Sequence, residues 1–282
     1  MLQNLLLFKI KGGRVTLIIT DLHIHIPQKD AHILSDIDVN INTGEKVALV
    51  GASGCGKSSV LEAITGKISP IEGSVSYEGK TINSSKGYDH HIISHIGYLP
   101  QHSGHLIFPW HSVKKNIEVA QHLGKRTKEQ PVFSATSIIS RLELTEHEDK
   151  YPGDISGGER RRLALGMILS FCAKLVLLDE PFTGADQELR DKLRDLVWEY
   201  YDKRRIKPII IIVTHDVEDA ALLRDETVIL KKTRKGTISP VVISRNGFIK
   251  QSLRPSILKK TDEYKKYLCD LENQRRNASR QP

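Results

Sequence analysis

Residues 51 to 59 form a glycine-rich stretch whose residue types and spacing suit the binding of phosphate. The stretch lies between the apolar run 47–50 and the helix-like segment 60–64, and it reads Gly51-Ala52-Ser53-Gly54-Cys55-Gly56-Lys57-Ser58-Ser59. Glycine lacks a Cβ atom, so the backbone can curl and bring its N–H groups close to phosphate oxygens. The following helix N-terminus adds a partial positive charge, Lys57 adds a point charge, and the Ser58 hydroxyl can ligate Mg²⁺. The alternative, a glycine-rich turn with a surface lysine, does not account for the strand–loop–helix context.

Asp179, Glu180 and His215 are the other side chains placed for chemistry. Asp179 and Glu180 follow the buried-type run 174–178, and His215 comes just after the run 209–213. In open parallel sheets, ligands bind beyond the carboxyl ends of the strands. We therefore expect these side chains to meet the glycine-rich stretch at one edge of a sheet.

The elements that must position these residues alternate along the chain between aliphatic strands and helices. We expect strands at 15–26, 37–41, 46–50, 74–82, 92–99, 174–178 and 209–213. We expect helices after the glycine-rich stretch, in pieces within 111–150, after 153–159 and at 186–202. This alternation predicts an α/β fold with a mostly parallel sheet covered on both faces.

The composition indicates a soluble globular chain whose positive charge is concentrated near its C-terminus. Of the 282 residues, 39% are hydrophobic and 27% are charged, and the net charge is +8. Residues 231–282 hold 14 Lys and Arg against 4 Asp and Glu. This argues against a wholly basic nucleic-acid-binding body and leaves a basic tail, either solvated or in contact with anionic lipid, RNA or protein. The aliphatic runs are too short to cross a bilayer, and the three cysteines indicate a reducing compartment.

Several short motifs now stand in an order that resembles the ATP-binding cassette (ABC) ATPases. Gly51–Ser58 matches the Walker A motif of that family, and Leu175–Asp179 with Glu180 matches Walker B and the catalytic glutamate. Ile155–Glu159 is similar to the signature motif. Single residues stand at the positions of the Q-loop, the D-loop and the H-loop: Gln101, Asp186 and His215.

The resemblance implies a fold of three parts. These are a P-loop NTPase core with a mostly parallel sheet, an N-terminal antiparallel β subdomain and an inserted α-helical subdomain at about 102–170. The ATPase domain is then expected at 1–230, followed by a basic C-terminal extension at 231–282.

The resemblance also implies ATP hydrolysis with Mg²⁺, and it assigns roles to individual residues. The implied catalytic residues are Glu180, His215 and Lys57, and the implied Mg²⁺ ligands are Ser58, Gln101 and Asp179. The implied nucleotide-binding residues are Gly51, Ala52, Ser53, Gly54, Cys55, Gly56, Lys57, Ser58, Ser59, Gln101, Ser156, Gly157, Gly158, Glu159 and Asp186. Three structural alternatives stay open at this point: an ordinary loop residue at 101, a helix N-cap at 186 and a structural histidine at 215.

The partners implied by the resemblance follow from Ser156 and Gly158, which in the family contact ATP bound to the opposite subunit. A second copy or a homologous ATPase subunit is then needed, in a head-to-tail dimer. The expected role is the ATPase subunit of an ABC transporter, most naturally an importer, at the cytoplasmic face of the membrane. Its partners would be transmembrane permease subunits and a substrate-binding protein. The alternative is a soluble ABC ATPase acting on nucleic acid or ribosomes, although nucleic acid is not the favoured partner.

The segment Phe108-Pro109-Trp110 resembles the leucine-proline-tryptophan region of importer ATPases for nitrate, sulfonate and taurine. That region lies near the contact of the family with membrane subunits, where an exposed tryptophan would suit a groove on a partner. The alternative is a tryptophan in the core of the helical subdomain.

Overall fold

The computed structural model describes residues 15–25, 33–51, 56–89, 95–125, 130–214, 226–232 and 238–244. The strands are β1 Val15–His25, β2 Ile33–Asn42, β3 Lys46–Gly51, β4 Glu72–Tyr77, β5 Lys80–Ser84, β6 Gly87–Tyr88, β7 Ile96–Leu99, β8 Leu175–Asp179, β9 Ile209–Thr214, β10 Glu226–Lys232 and β11 Ile238–Ser244. The α-helices are α1 Lys57–Ile64, α2 Val113–Gly124, α3 Ala135–Arg141, α4 Gly157–Ser170 and α5 Gln187–Lys203.

All of these strands belong to one mixed sheet with the order β6-β5-β4-β1-β2-β11-β10-β3-β9-β8-β7. The half from β10 to β7 is parallel throughout, through the pairs β10–β3, β3–β9, β9–β8 and β8–β7. The half formed by β1, β2, β4, β5 and β6 is antiparallel. The prediction of an α/β fold with a mostly parallel core and an N-terminal antiparallel part is confirmed.

Both faces of the parallel half are covered, as the aliphatic runs predict. On β8, Val176 and Leu178 belong to the core shared with α2, α3, α4 and α5. Leu175 and Leu177 point to the opposite core, which includes α1 and the antiparallel strands. Side chains alternate across a strand, so a run of aliphatic residues fills both cores at once. Every residue of β8 and β9 is buried for this reason.

The helical region lies between β7 and β8 in the chain, so the prediction of an inserted helical subdomain is confirmed. Its packing is close where α4 meets α2 and the end of α3, because a Cβ atom on Gly166 would lie 2.4 Å from Cδ1 of Leu142 and 3.1 Å from Cδ1 of Ile117. No helix in the described part of the chain is both long and apolar enough to cross a bilayer.

The boundary predicted between residues 230 and 231 falls inside β10, which pairs with β3 from Glu226 to Leu230. Beyond it, β11 pairs with β10 and, through Ile238 and Leu34, with β2. Two strands with many backbone hydrogen bonds therefore carry the sheet past that boundary. The rest of the predicted extension, from 245 to 282, lies outside the described residues.

Candidate active site at the ends of the parallel strands

The N-terminus of α1 follows β3 and offers donors suited to an anion. Gly56 has a φ of 89°, in the left-handed region that favours glycine, and it caps a helix whose first turn has no acidic residue and no side-chain cap. The first N–H groups of α1 are therefore left without a partner from their own helix. Lys57 is buried, with 6% of its surface exposed. Residues Ala52 to Cys55 of the predicted loop lie outside the described residues.

Ser58 and Asp179 meet beside this helix end and have the chemistry of a magnesium site. The Ser58 hydroxyl donates a hydrogen bond to the carboxylate of Asp179, which is only 2% exposed. Oδ2 of Asp179 has no hydrogen-bond partner among the described residues. Burial raises the pKa of Asp179 and the neighbouring Glu180 adds to this, while Ser58, Arg161 and Lys57 act in the opposite direction. A buried, unpaired carboxylate oxygen next to a hydroxyl fits Mg²⁺, which prefers hard oxygen ligands.

Glu180 begins the turn after β8 and has an unusual backbone. Its φ is 49°, a left-handed value that is uncommon for residues other than glycine. Its N–H donates to the carbonyl of Val213 in β9 at 2.9 Å. The hydroxyl of Thr183 donates to its carboxylate at 3.3 Å. The Glu180 carboxylate is thus held next to Asp179 at the carboxyl edge of the sheet, as predicted. His215 follows β9 directly but lies outside the described residues.

Gln101 reaches this edge through its main chain. The Gln101 side chain is exposed, and its carbonyl accepts a hydrogen bond from Nη1 of Arg161. Nη2 of the same guanidinium donates to the carbonyls of Asp179 and Glu180, each at 2.7 Å. The structure therefore brings Gln101, Asp179 and Glu180 together around a residue that the sequence did not single out. The available signal was the run of arginines at 160–162, but such a run is more typical of a solvated surface.

Ser156 and Glu159 form the N-terminal cap of α4. Ser156 Oγ accepts from the N–H of Glu159 at 3.2 Å, and Oε2 of Glu159 accepts from the N–H of Ser156 at 2.6 Å. This reciprocal capping box satisfies two helix-end donors, and the Ser156 N–H bond is the main cause of a lowered Glu159 pKa. A Cβ atom on Gly157 or Gly158 would meet no atom closer than 3.9 Å. Packing among the described residues does not require these glycines, so the helix end is open to a group from outside.

Asp186 is the N-cap of α5. Its Oδ1 atom accepts from the N–H of Leu189 at 2.9 Å, and the residue is exposed. This is the helix-cap alternative considered for the position, which is compatible with a D-loop role. The D-loop role stays a prediction.

The arrangement as a whole defines a class of protein. A buried lysine at an uncapped helix N-terminus, a hydroxyl–carboxylate pair and a second carboxylate lie at the carboxyl edge of a parallel sheet. This is the arrangement of P-loop nucleoside triphosphatases.

Comparison with known proteins gives the family within that class. A family model described as ABC transporter matches residues 34–183, and the chain belongs to this family. It is 31% identical over 223 residues to the uncharacterized ABC transporter ATP-binding protein YtlC of Bacillus subtilis, covering 79% of this chain and 81% of that protein. It is 31% identical over 205 residues to the nitrate import ATP-binding protein NrtD of Synechocystis, covering 73% of each. The predicted resemblance is confirmed, and the chain is an ATPase of this family.

A solved structure has the same fold. The dimeric post-hydrolysis state of the ATP-binding cassette MJ0796 bound to ADP and Pi superposes with a TM-score of 0.65. The alignment covers 82% of this chain and all of that one, at 21% identity. The predicted P-loop NTPase core is therefore the observed fold.

Proposed function

We propose that this chain is the nucleotide-binding subunit of an importer and powers transport by hydrolysing ATP as a dimer. The protein NrtD, to which it is similar, has nitrate import in its name. The transported compound is selected by partner subunits, and this chain supplies the free energy. The family match and the transporter relatives do not favour the alternative of a soluble ATPase acting on nucleic acid or ribosomes.

The observation that carries the proposed chemistry is the buried Asp179 carboxylate with an unpaired Oδ2, next to Ser58 and followed by Glu180. Ser58, Asp179 and the Gln101 side chain would hold Mg²⁺, which neutralises phosphate charge. Lys57 and the N-terminus of α1 bind the phosphates. Glu180 orients the attacking water and accepts its proton. His215 is proposed to hydrogen-bond the γ-phosphate.

The proposed dimer is supported by the open N-terminus of α4. Ser156 is exposed, its hydroxyl and N–H bond to Glu159 within the same helix end, and the adjacent glycines leave room in front of the helix. A helix N-terminus attracts an anion. In a head-to-tail dimer this end binds the nucleotide held by Lys57 of the other subunit, so each site needs both chains. The solved structure of MJ0796, which has the same fold, is a dimer, and this supports a dimer here.

Mixed dimers test whether Lys57 of one subunit and Ser156 of the other act in the same site. One subunit carries Lys57→Ala and the other Ser156→Ala, with different affinity tags that allow the mixed dimer to be purified. One composite site then lacks both groups, while the other combines an intact Lys57 with an intact Ser156. We expect each variant alone to be inactive and the mixed dimer to regain up to about half of the wild-type turnover.

The matched control pairs wild type with the Lys57→Ala/Ser156→Ala double variant, so that each site loses one group. We expect this mixed dimer, purified with the two tags, to be inactive. A mixed dimer of the single variants that stays inactive would contradict the proposal, as would substantial turnover by either variant alone.

Trp110 marks the surface where we propose that the membrane subunits dock. The side chain is 66% exposed, so the alternative of a core tryptophan is wrong. Its ring packs beside those of Phe108 and His111, with centroids 5.7 and 6.1 Å away. Phe108 and Trp110 line a groove of about 580 Å³ together with Pro152 and Gly153. An exposed aromatic beside an apolar groove is typical of a binding hot spot, and here it fits a hydrophobic segment of a permease.

Membrane association tests this docking surface. We expect Trp110→Ala to lower the fraction of the chain that purifies with detergent-solubilised membranes and a hydrophobic partner. Tyr88→Ala is the control, because Tyr88 is also a large exposed side chain, 47% exposed, but lies on β6. Equal association of both variants would contradict the assignment, and co-purifying RNA in place of a membrane protein would favour the soluble alternative.

A further inference from the structure

Arg161 differs from its neighbour Arg162 in what it binds. Nε of Arg162 donates to the carbonyl of Leu142 at 2.7 Å, within the helical region. Arg161 instead reaches away from α4 to the edge of the sheet, where three main-chain carbonyls accept from it. Two adjacent arginines of one helix therefore have separate tasks, and one can serve as a control for the other.

The guanidinium of Arg161 joins two segments that are distant in sequence. Nη1 donates to the carbonyl of Gln101, which lies 60 residues away in the chain. Nη2 donates to the consecutive carbonyls of Asp179 and Glu180, both at 2.7 Å. A planar guanidinium directs its two terminal nitrogens in fixed directions, so it sets the distance and orientation between the two segments.

The turn that Arg161 holds is strained. In an extended strand successive carbonyls point in opposite directions, whereas those of Asp179 and Glu180 both accept from one nitrogen. The φ of 49° at Glu180 makes this possible, but a residue with a Cβ atom adopts it only when its surroundings hold it there. The Glu180 N–H is fixed by Val213 in β9 at 2.9 Å, and its carbonyl accepts from Arg161. The turn is thus held from both sides.

We propose that Arg161 is a positioning residue for hydrolysis, whose guanidinium fixes the turn at Glu180 and the main chain of Gln101 as one unit. The Glu180 carboxylate then faces the nucleotide of its own subunit in the orientation that activates water. This inference rests on the roles proposed above for Glu180 and Gln101. Arg161 is half-buried, and its partial removal from water strengthens its hydrogen bonds.

Steady-state kinetics give the first test. We expect Arg161→Gln to lower kcat by about tenfold to a hundredfold, the range found when a catalytic group is misplaced by about 1 Å. The Kd for ATP is expected to stay within about threefold, because the phosphate-binding groups on α1 are untouched. Arg161→Lys is expected to fail as well, because an ammonium group cannot span both segments. Arg162→Gln is the matched control, with kcat within about threefold of wild type.

Mixed dimers separate positioning of the catalytic turn from mere support of α4. In the dimer of Lys57→Ala and Ser156→Ala subunits, the working site takes Glu180 from the Ser156→Ala chain and Ser156 from the Lys57→Ala chain. We expect Arg161→Gln to lower turnover by about tenfold to a hundredfold, the range given above, when it is placed in the Ser156→Ala chain. Placed in the Lys57→Ala chain, it is expected to leave turnover nearly unchanged. A structural role in supporting the Ser156 cap predicts the opposite pattern.

The possible outcomes are distinguishable. If the starting mixed dimer is inactive, or if Glu180→Gln retains full turnover, the proposed function fails first. If both behave as proposed and Arg161→Gln has wild-type kcat, or loses turnover equally in either chain, the inference about Arg161 is overturned. Thermal unfolding of each variant identifies any loss of activity that is due to loss of fold.

Discussion

Replacing Asn116 tests how the loop that carries Trp110 is held in place. Asn116 lies on α2 and is fully buried. Its Oδ1 accepts from the N–H of Phe108 at 2.8 Å. Its Nδ2 donates to the carbonyls of Phe108, His111 and Ser112, at 3.1, 3.0 and 3.0 Å. One amide therefore binds both ends of the loop, and Trp110 lies between them.

The cost of Asn116→Ala can be worked out from these bonds. The carbonyls of Phe108 and Ser112 keep a second donor, the N–H of His111 at 3.1 Å and the N–H of residue 116 itself at 2.9 Å. In Asn116→Ala, the N–H of Phe108 and the carbonyl of His111 each lose their hydrogen bond to the Asn116 side chain. Two unsatisfied buried groups cost about 2 to 6 kcal/mol. Because Phe108 and His111 are partly exposed and water can reach them, we expect a loss near about 2 kcal/mol.

Asn116→Asp tests the importance of the donor atoms, because it keeps the shape of the side chain but removes its N–H groups. A carboxylate can still accept from the N–H of Phe108, but it has no donor for the three carbonyls and places a buried negative charge against them. We therefore expect Asn116→Asp to be less stable than Asn116→Ala at neutral pH, although it is closer in shape to the native residue.

Urea unfolding followed by tryptophan fluorescence measures both the stability and the loop. The chain has two tryptophans, so Trp198→Phe leaves Trp110 as the only reporter. Lys115→Ala is the control, because Lys115 is an exposed neighbour on α2 whose ion pair with Glu118 contributes little. A loss below about 0.5 kcal/mol for Asn116→Ala with unchanged Trp110 emission would refute the reasoning, as would an Asn116→Asp protein as stable as the wild type.

Two further predictions concern helix ends. Gly124→Ala should lower the free energy of unfolding by about 1 to 3 kcal/mol, because its Cβ would lie 2.5 Å from the main-chain oxygen of Phe171. Thermal unfolding measures this, with Gly153→Ala as the control, since a Cβ there meets nothing within 4 Å. Glu159→Gln should destabilise the protein at pH 7, and the difference should shrink as the pH falls below the usual carboxyl range. The Ser156 N–H lowers the pKa of Glu159, so its stabilisation is complete above the usual carboxyl pKa and is lost as the pH falls through the lowered one. A urea-midpoint difference that is constant from pH 3 to pH 8 would contradict this.

The sheet and much of the site could be predicted because they depend on local patterns. The aliphatic runs now seen as β8 and β9 lie in the two cores on both faces of the sheet, which forces hydrophobic residues at successive positions. Asp179 and Glu180 end one of these runs, so their place at the sheet edge followed directly. The strand expected at 92–99 is found at Ile96–Leu99, and residues 92–94 lie outside the described residues.

The contacts of Arg161 and Asn116 could not be predicted, because they depend on the path of loops distant in sequence. Gln101 and Asp179 lie 60 and 18 positions from Arg161, and no periodicity connects them. Asn116 occupies a position that helical spacing assigns to the core, where a polar residue is unexpected. A buried amide on an otherwise apolar face is itself a signal, since it must be satisfied by some backbone group. The sequence does not show which group that is.

Asn116 and Arg161 both hold irregular segments in place, and this role explains why both are hydrogen-bond donors. The segments that carry Trp110, Gln101 and Glu180 are irregular, so their carbonyls lack the partners that helices and strands provide. Asn116 on α2 and Arg161 on α4 offer several N–H groups each, and between them they bind six carbonyls in or beside these segments, some of which also have a main-chain donor. A hydroxyl has one proton and a carboxylate has none, so neither could replace them. The loops for which we propose functional roles are thus fixed by helices, and a substitution that preserves size but removes the donors should release the loop without disturbing the sheet.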